Sequence, residues 1–174
     1  MFRSSMLPAL VVCAAGLVSS STALAQAKIG VVNFQKAILD TAEIKKASSD
    51  LQNKYKPRQD ALEKVQRELS DIQTQLQSAG GKLSAQGEAD LQARGQRKQR
   101  EAERLSQDLQ DDVTNERNVV LQRAGTRMQE VVKKMMDDKS LDLIIDIANA
   151  VAFKPALDMT ADAVAAYDKA YPVK

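Results

Sequence analysis

The chain has 174 residues, with 25 Lys and Arg against 23 Asp and Glu, one Cys, no His, no Trp and only 3% aromatic residues. Without His, and with a single Cys, the common nucleophile–base pairs and zinc-ligand sets have no members. Charge is nearly balanced and no basic cluster is interleaved with aromatic rings on which bases could stack, so nucleic acid is excluded as a partner. This composition suits a protein that grips other molecules without transforming them.

The first residues carry Arg3, an apolar run from Leu7 to Val18 and a small-residue end, Ser19 to Ala25. That is the layout of a cleaved secretory leader. Residues 1–25 are expected to be a signal peptide, cut after Ala25 or, alternatively, after Ala27. The apolar run is too short for a good membrane span. Cys13 lies inside the leader and follows Val12, which is too large for a lipoprotein cleavage site. The mature chain, starting at Gln26, is therefore thiol-free, and neither disulfides nor thiolate metal sites hold it together in an oxidising compartment.

Lys28 to Phe34 is short and β-branched, which predicts a strand, and helical spacing begins at Gln35. Glu43–Ser78 and Ser84–Lys139 are rich in Gln, Glu, Lys, Arg and Leu and predict two long helices, about 50 and 80 Å at 1.5 Å per residue. Gly80-Gly81 between them provides a reversal, and Ser84 is placed to cap the returning helix. The first helix shows heptad spacing through Ile44, Ser48, Leu51, Tyr55, Arg58, Leu62, Val65, Leu69, Ile72 and Leu76. Folding the chain back at Gly80-Gly81, in a symmetric register centred close to Lys82, pairs Leu51 with Val113, Tyr55 with Leu109, Val65 with Lys98, Leu69 with Gly95 and Ile72 with Leu91. Apolar near its root and interrupted by Lys98, Gly95 and Gly87 farther out, the arm should be firm at the root and loose at the tip. Pro57 removes one hydrogen bond from the first helix and is a kink or hinge candidate.

Leu141 to Ile147 and Ala150 to Lys154 predict a β-hairpin across Ala148-Asn149. Thr160 is placed as N-cap of a last helix, Ala161–Ala170, with Asp162 in its first turn and Pro172 beyond its end. The expected fold is α+β and predominantly helical. A signal peptide at 1–25 precedes a discontinuous β-rich body, 26–40 and 140–174, which carries an antiparallel coiled-coil hairpin arm, 41–139, with its tip near 79–83. Three short strands and one helix make a small core with open sheet edges, and the second long helix outruns its partner at Val131, Met135 and Met136. Other copies are therefore expected to complete the body. The residues assigned to that assembly are Ile29, Val31, Leu141, Leu143, Ile145, Val131 and Met135.

Phosphate-loop chemistry is missing. Gly80-Gly81-Lys82 lacks the preceding strand and spacing of a nucleotide site, and a helix reversal explains it. No enzyme activity, catalytic residue, cofactor or metal is expected.

Over nearly the whole mature chain the sequence resembles the Skp/OmpH family of periplasmic chaperones. The resemblance is carried by Lys28-Ile29-Gly30-Val31-Val32-Asn33, Lys54-Tyr55-Lys56-Pro57-Arg58-Gln59, Gly81-Lys82-Leu83-Ser84, Leu141 to Asp146, Asn149-Ala150-Val151 and Asp158-Met159-Thr160. It implies a homotrimer whose strands form a shared β-barrel, with three helical arms around a cavity that holds unfolded outer-membrane proteins in the periplasm. Family members are often strongly basic, whereas this mature chain is nearly neutral, so no residue is assigned to membrane or lipopolysaccharide contact. The alternative function is a structural coiled-coil adaptor or tether in the cell envelope.

Charge along the arm is uneven. In the symmetric register, Asp108, Asp111, Asp112 and Glu116 lie beside Lys45, Lys46, Lys54 and Lys56. Farther out, Arg58, Lys64, Arg67, Arg94, Arg97, Lys98, Arg100 and Arg104 outnumber Asp60, Glu63, Glu101 and Glu103. Exposed pairs of this kind add only about 0–1 kcal/mol each to stability. A surplus of cations on a surface around a cavity matters more for encounter with acidic clients, so these eight are the client-contact candidates.

Overall fold

The computed structural model describes residues 27–173, and the expected leader and mature N-terminus lie outside them. Eight elements follow in order: strand β1 (Ile29–Val32), helix α1 (Phe34–Asp40), the long helices α2 (Ala42–Ser78) and α3 (Ala85–Asp138), strand β2 (Leu143–Asp146), two single 3-10 turns (Ile147–Asn149 and Pro155–Leu157) and helix α4 (Thr160–Ala170).

Short polar side chains set the boundaries. Asn33 caps α1 by accepting the Lys36 N–H at 2.9 Å. Thr41, fully buried, donates its hydroxyl to the Ile38 carbonyl at 2.8 Å and accepts the Ile44 N–H at 3.3 Å. One threonine therefore closes α1 and opens α2. Ser84 caps α3 through the Gly87 N–H at 3.1 Å, and Gly80 and Gly81 take φ of 47° and 79° in the reversal, a region where a side chain would be strained.

β1 and β2 pair in parallel, Ile29 with Leu143 through Val32 with Asp146. The whole two-helix arm is thus the crossover between two adjacent strands. The hairpin expected after β2 does not form. Asp146 instead accepts the Ala148 N–H at 3.1 Å and starts a 3-10 turn, so 147–149 coils out of the sheet. Ala150 to Lys154 pairs with no strand among the described residues, and Val151 is fully exposed. The chain returns only at Asp158, which bridges to Val31, while the Met159 N–H bonds to the Val31 carbonyl at 2.8 Å.

The core lies where α4 covers α3. Ala163 and Tyr167 pack with Val32, Ala37, Ile44, Ala124, Met128, Val131 and Met135. This corrects the expectation that Val131 and Met135 stand uncovered: α4 and the β1–α1 segment supply what α2 cannot reach. Met136 stays half-buried. Thr160 opens α4 as its first helical residue rather than its cap, because its hydroxyl is used elsewhere. It accepts the Asn33 N–H at 2.9 Å and donates to Asp158 at 2.5 Å, pinning α4 to the end of β1.

Candidate functional site

Beyond the core, α2 and α3 continue as a hairpin whose seam buries Tyr55, Val65, Ile72 and Leu91. Its register differs from the symmetric one. Ile72 lies against Gly95, and Arg58 reaches Asp112 at 2.6 Å. These two contacts lie about one to two turns nearer the C-terminus of α3 than the sequence register puts them. The six residues 79–84 join Ser78 to Ala85, and this connection sets where the returning helix begins.

The shift changes what the polar seam residues do. Glu116, half-buried on α3, accepts the Tyr55 hydroxyl at 2.9 Å and also pairs with Lys54. Hydrogen bonds from Lys54 and Tyr55 hold its carboxyl below the ordinary glutamate value. Lys98 bonds to Glu68 and Glu101, each at 2.9 Å, which raises its ammonium above the usual lysine value. Glu68, absent from the charges weighed in the sequence, is thus the cross-helix partner of a seam lysine. Polar residues that interrupt a coiled coil in this way fix its register at some cost in stability.

At the arm root a tighter knot joins three helices. Glu43 of α2 accepts Arg123 Nε at 2.8 Å and Arg127 at 2.9 Å from α3, together with the Tyr167 hydroxyl from α4. Burial alone would raise the Glu43 carboxyl, but these donors outweigh it and hold it below its ordinary value. Burial and the same carboxylate push the Tyr167 phenol up to about 12. Arg127 also lies 4.6 Å from the Tyr171 ring centroid, and the Tyr171 hydroxyl bonds to Glu130 at 2.8 Å. Sequence spacing does not reveal this knot, because its members are drawn from three distant segments; the nearest signal is a glutamate in the first turn of α2.

The eight cations proposed for client contact divide. Arg58 pairs with Asp112, Lys98 is held in the seam, and Arg67 lies 3.4 Å from Glu63 across one turn. Lys64, Arg94, Arg97, Arg100 and Arg104 are exposed and take part in no ion pair among the described residues. Arg97, Arg100 and Arg104 recur at three- and four-residue steps and so share one face of α3. Pro57 lies within α2, which continues through it from Ala42 to Ser78.

The assembly candidates divide as well. Val31, Val131 and Met135 are buried within the chain, and Leu141 and Ile145 are half-buried. Ile29 and Leu143, paired neighbours in the sheet, remain 37% and 47% exposed. Among the described residues no helix is long and apolar enough to cross a membrane, and no group of three or more His, Cys, Asp or Glu is placed to hold a metal ion.

A family profile described as "Outer membrane protein (OmpH-like)" matches residues 28–167. The chain belongs to the OmpH-like family. Similar OmpH-like relatives include the chaperone protein Skp of Salmonella typhimurium, 32% identical over 150 residues that cover 84% of this chain and 90% of that protein. Skp of Escherichia coli K12 is 31% identical with the same coverage, and a Skp-like protein of Pseudomonas aeruginosa is 24% identical over 86% of this chain and 89% of its own length. The fold matches a solved OmpH-like protein from Caulobacter crescentus at a TM-score of 0.68 and 16% identity, over 99% of this chain and 93% of that one.

Proposed function

We propose that this OmpH-like chain is an ATP-independent holdase that acts in the periplasm after loss of residues 1–25. As a homotrimer it would hold unfolded outer-membrane β-barrel proteins between its arms and prevent their aggregation. The observation that carries this reading is the exposed cations Lys64 on α2 and Arg94, Arg97, Arg100 and Arg104 on α3, which lie beyond the core on a hairpin with few buried residues of its own. Many weak, spread contacts on such a surface can retain varied chains and still release them without an energy source. The family and its relatives named as chaperones support the same reading.

Assembly would use what one chain leaves open: the exposed Ile29–Leu143 pair, the free edge of β2 and the unpaired segment around Val151. Ile145 and Leu141 border that edge, and copies meeting there would share a barrel. A cell-envelope tether would need one continuous apolar seam, whereas Lys98 and Glu116 interrupt this one. The test is aggregation of several unrelated unfolded β-barrel proteins diluted from urea without nucleotide. The holdase keeps all of them soluble; failure with every client would leave the tether.

A further inference from the structure

Ser48 occupies a seam position of α2, where the spacing of Ile44, Leu51 and Tyr55 requires a large apolar side chain, yet it is exposed. Its small side chain does not fill the space between the helices, and a notch of about 90 Å³ remains at the arm root. Leu51 bounds it on α2, and Val120 and Leu121 bound it on α3. Leu39, at the end of α1 and 42% exposed, lines it from the body side. Arg117 also lines it and takes part in no ion pair among the described residues. The notch is therefore lined mainly by apolar side chains, of side-chain size, and marked by one cation outside any ion pair among the described residues.

We propose that this notch is a subsite of the holding surface that takes one leucine- or phenylalanine-sized side chain of an unfolded protein, with Arg117 pairing a carboxylate next to it in that chain. The proposal rests on the holdase reading. Filling the notch releases its water and completes the seam, while the flanking charge selects apolar–acidic steps over apolar–neutral ones. Diffuse arm contacts hold any chain; the notch adds a preference.

Because the form beginning at Gln26 has no cysteine, Ser48→Cys gives one reactive thiol in each chain of the assembled protein. A maleimide should label it in the free oligomer, and an unstructured peptide with a central Leu-Asp step should slow labelling, whereas its Ser-Asp counterpart should not. Ser48→Leu, which fills the notch from within, should weaken binding of the Leu-Asp peptide about tenfold, the affinity that burial of one such side chain adds. It should leave the Ser-Asp peptide and the oligomer mass unchanged. Arg117→Gln should abolish the preference for Leu-Asp over Leu-Asn. An unreactive thiol in the free Ser48→Cys oligomer, meaning that a second copy covers the notch, or a Leu-Asp affinity unaffected by Ser48→Leu, overturns the proposal while aggregation suppression by the parent protein keeps the holdase reading intact. Loss of all binding to unfolded chains in the parent protein overturns both.

Discussion

Arg127 meets Glu43 at 2.9 Å across 84 positions of sequence, and the same carboxylate takes Arg123 and the Tyr167 hydroxyl. The arm is thereby joined to the core by one acidic side chain with three donors, only 11% exposed, rather than by packing alone. Because these hydrogen bonds outweigh burial and hold the Glu43 carboxyl below its ordinary value of 4.5, the folded state favours the ionised form. The stabilisation is complete above the unfolded value and is lost as pH falls through the folded one. Glu43→Gln should lower stability by about 1–2 kcal/mol at pH 7, discounted because both arginines are partly exposed. It should also flatten the acid limb of stability below about pH 4.5, as read by urea denaturation across pH.

Ser140 adopts φ of 50° where α3 ends, and the Leu141 N–H reaches back to the Met136 carbonyl at 2.9 Å. A left-handed residue at this place is usually glycine, since a side chain there costs about 1 kcal/mol. Ser140→Gly should raise the denaturation midpoint by an amount equivalent to about 0.5–1 kcal/mol. No change would mean that the Ser140 side chain makes up the difference.

Near the tip, a methyl group on Gly95 would lie 3.3 Å from Ile72 Cγ2. Gly95→Ala should be close to neutral, because a helix-propensity gain of about 1 kcal/mol offsets the tight contact. Gly95→Leu should push the helices apart at a cost of about 1–3 kcal/mol. Hydrogen exchange in the parent protein should be slow around Tyr55 and Glu116 and fast beyond Ile72 and Leu91, where half-buried Leu76 and Gly87 replace the buried pairs. Gly95→Leu should extend the fast region toward Val65.

Helix period, the glycine reversal and the Ser84 cap were legible in the sequence because each is a local rule acting over a few residues. The register was not, since one loop of six residues, 79–84, sets it and loop asymmetry has no sequence period. The covering of Val131 and Met135 was missed for a different reason. α4 is short, and only its fold-back onto α3, pinned by Thr160 bonding to Asn33 and Asp158, brings Ala163 and Tyr167 over them. Ala150–Lys154 has the composition of a strand and lacks a partner among the described residues, so its pattern described a capacity for pairing, not a pairing. Of the cations, exposure was readable from the helix faces, but pairing depended on the register. Arg58 and Lys98 consequently belong to the hairpin, while Lys64, Arg94, Arg97, Arg100 and Arg104 stay exposed.

That division separates two sets of variants. Replacing Lys64, Arg94, Arg97, Arg100 and Arg104 by Gln should leave the thermal midpoint nearly unchanged, weaken retention of acidic unfolded clients several-fold at low salt and reduce the salt dependence of binding. Replacing Arg58 and Lys98 should instead lower the thermal midpoint of the hairpin, because each loses a cross-helix carboxylate partner, with little effect on the salt dependence. Identical salt slopes for the parent and the five-fold variant would show that shape, not charge, accounts for capture.

Capture of an unfolded barrel protein by an assembly of these arms can be read by light scattering on a mixture of the chain beginning at Gln26 and a β-barrel client diluted from urea without nucleotide. One soluble species is expected, with the mass of three chains plus one client, stable over time and formed at low and moderate salt. A monomer mass that stays unchanged, with the client recovered only as aggregate, would contradict it.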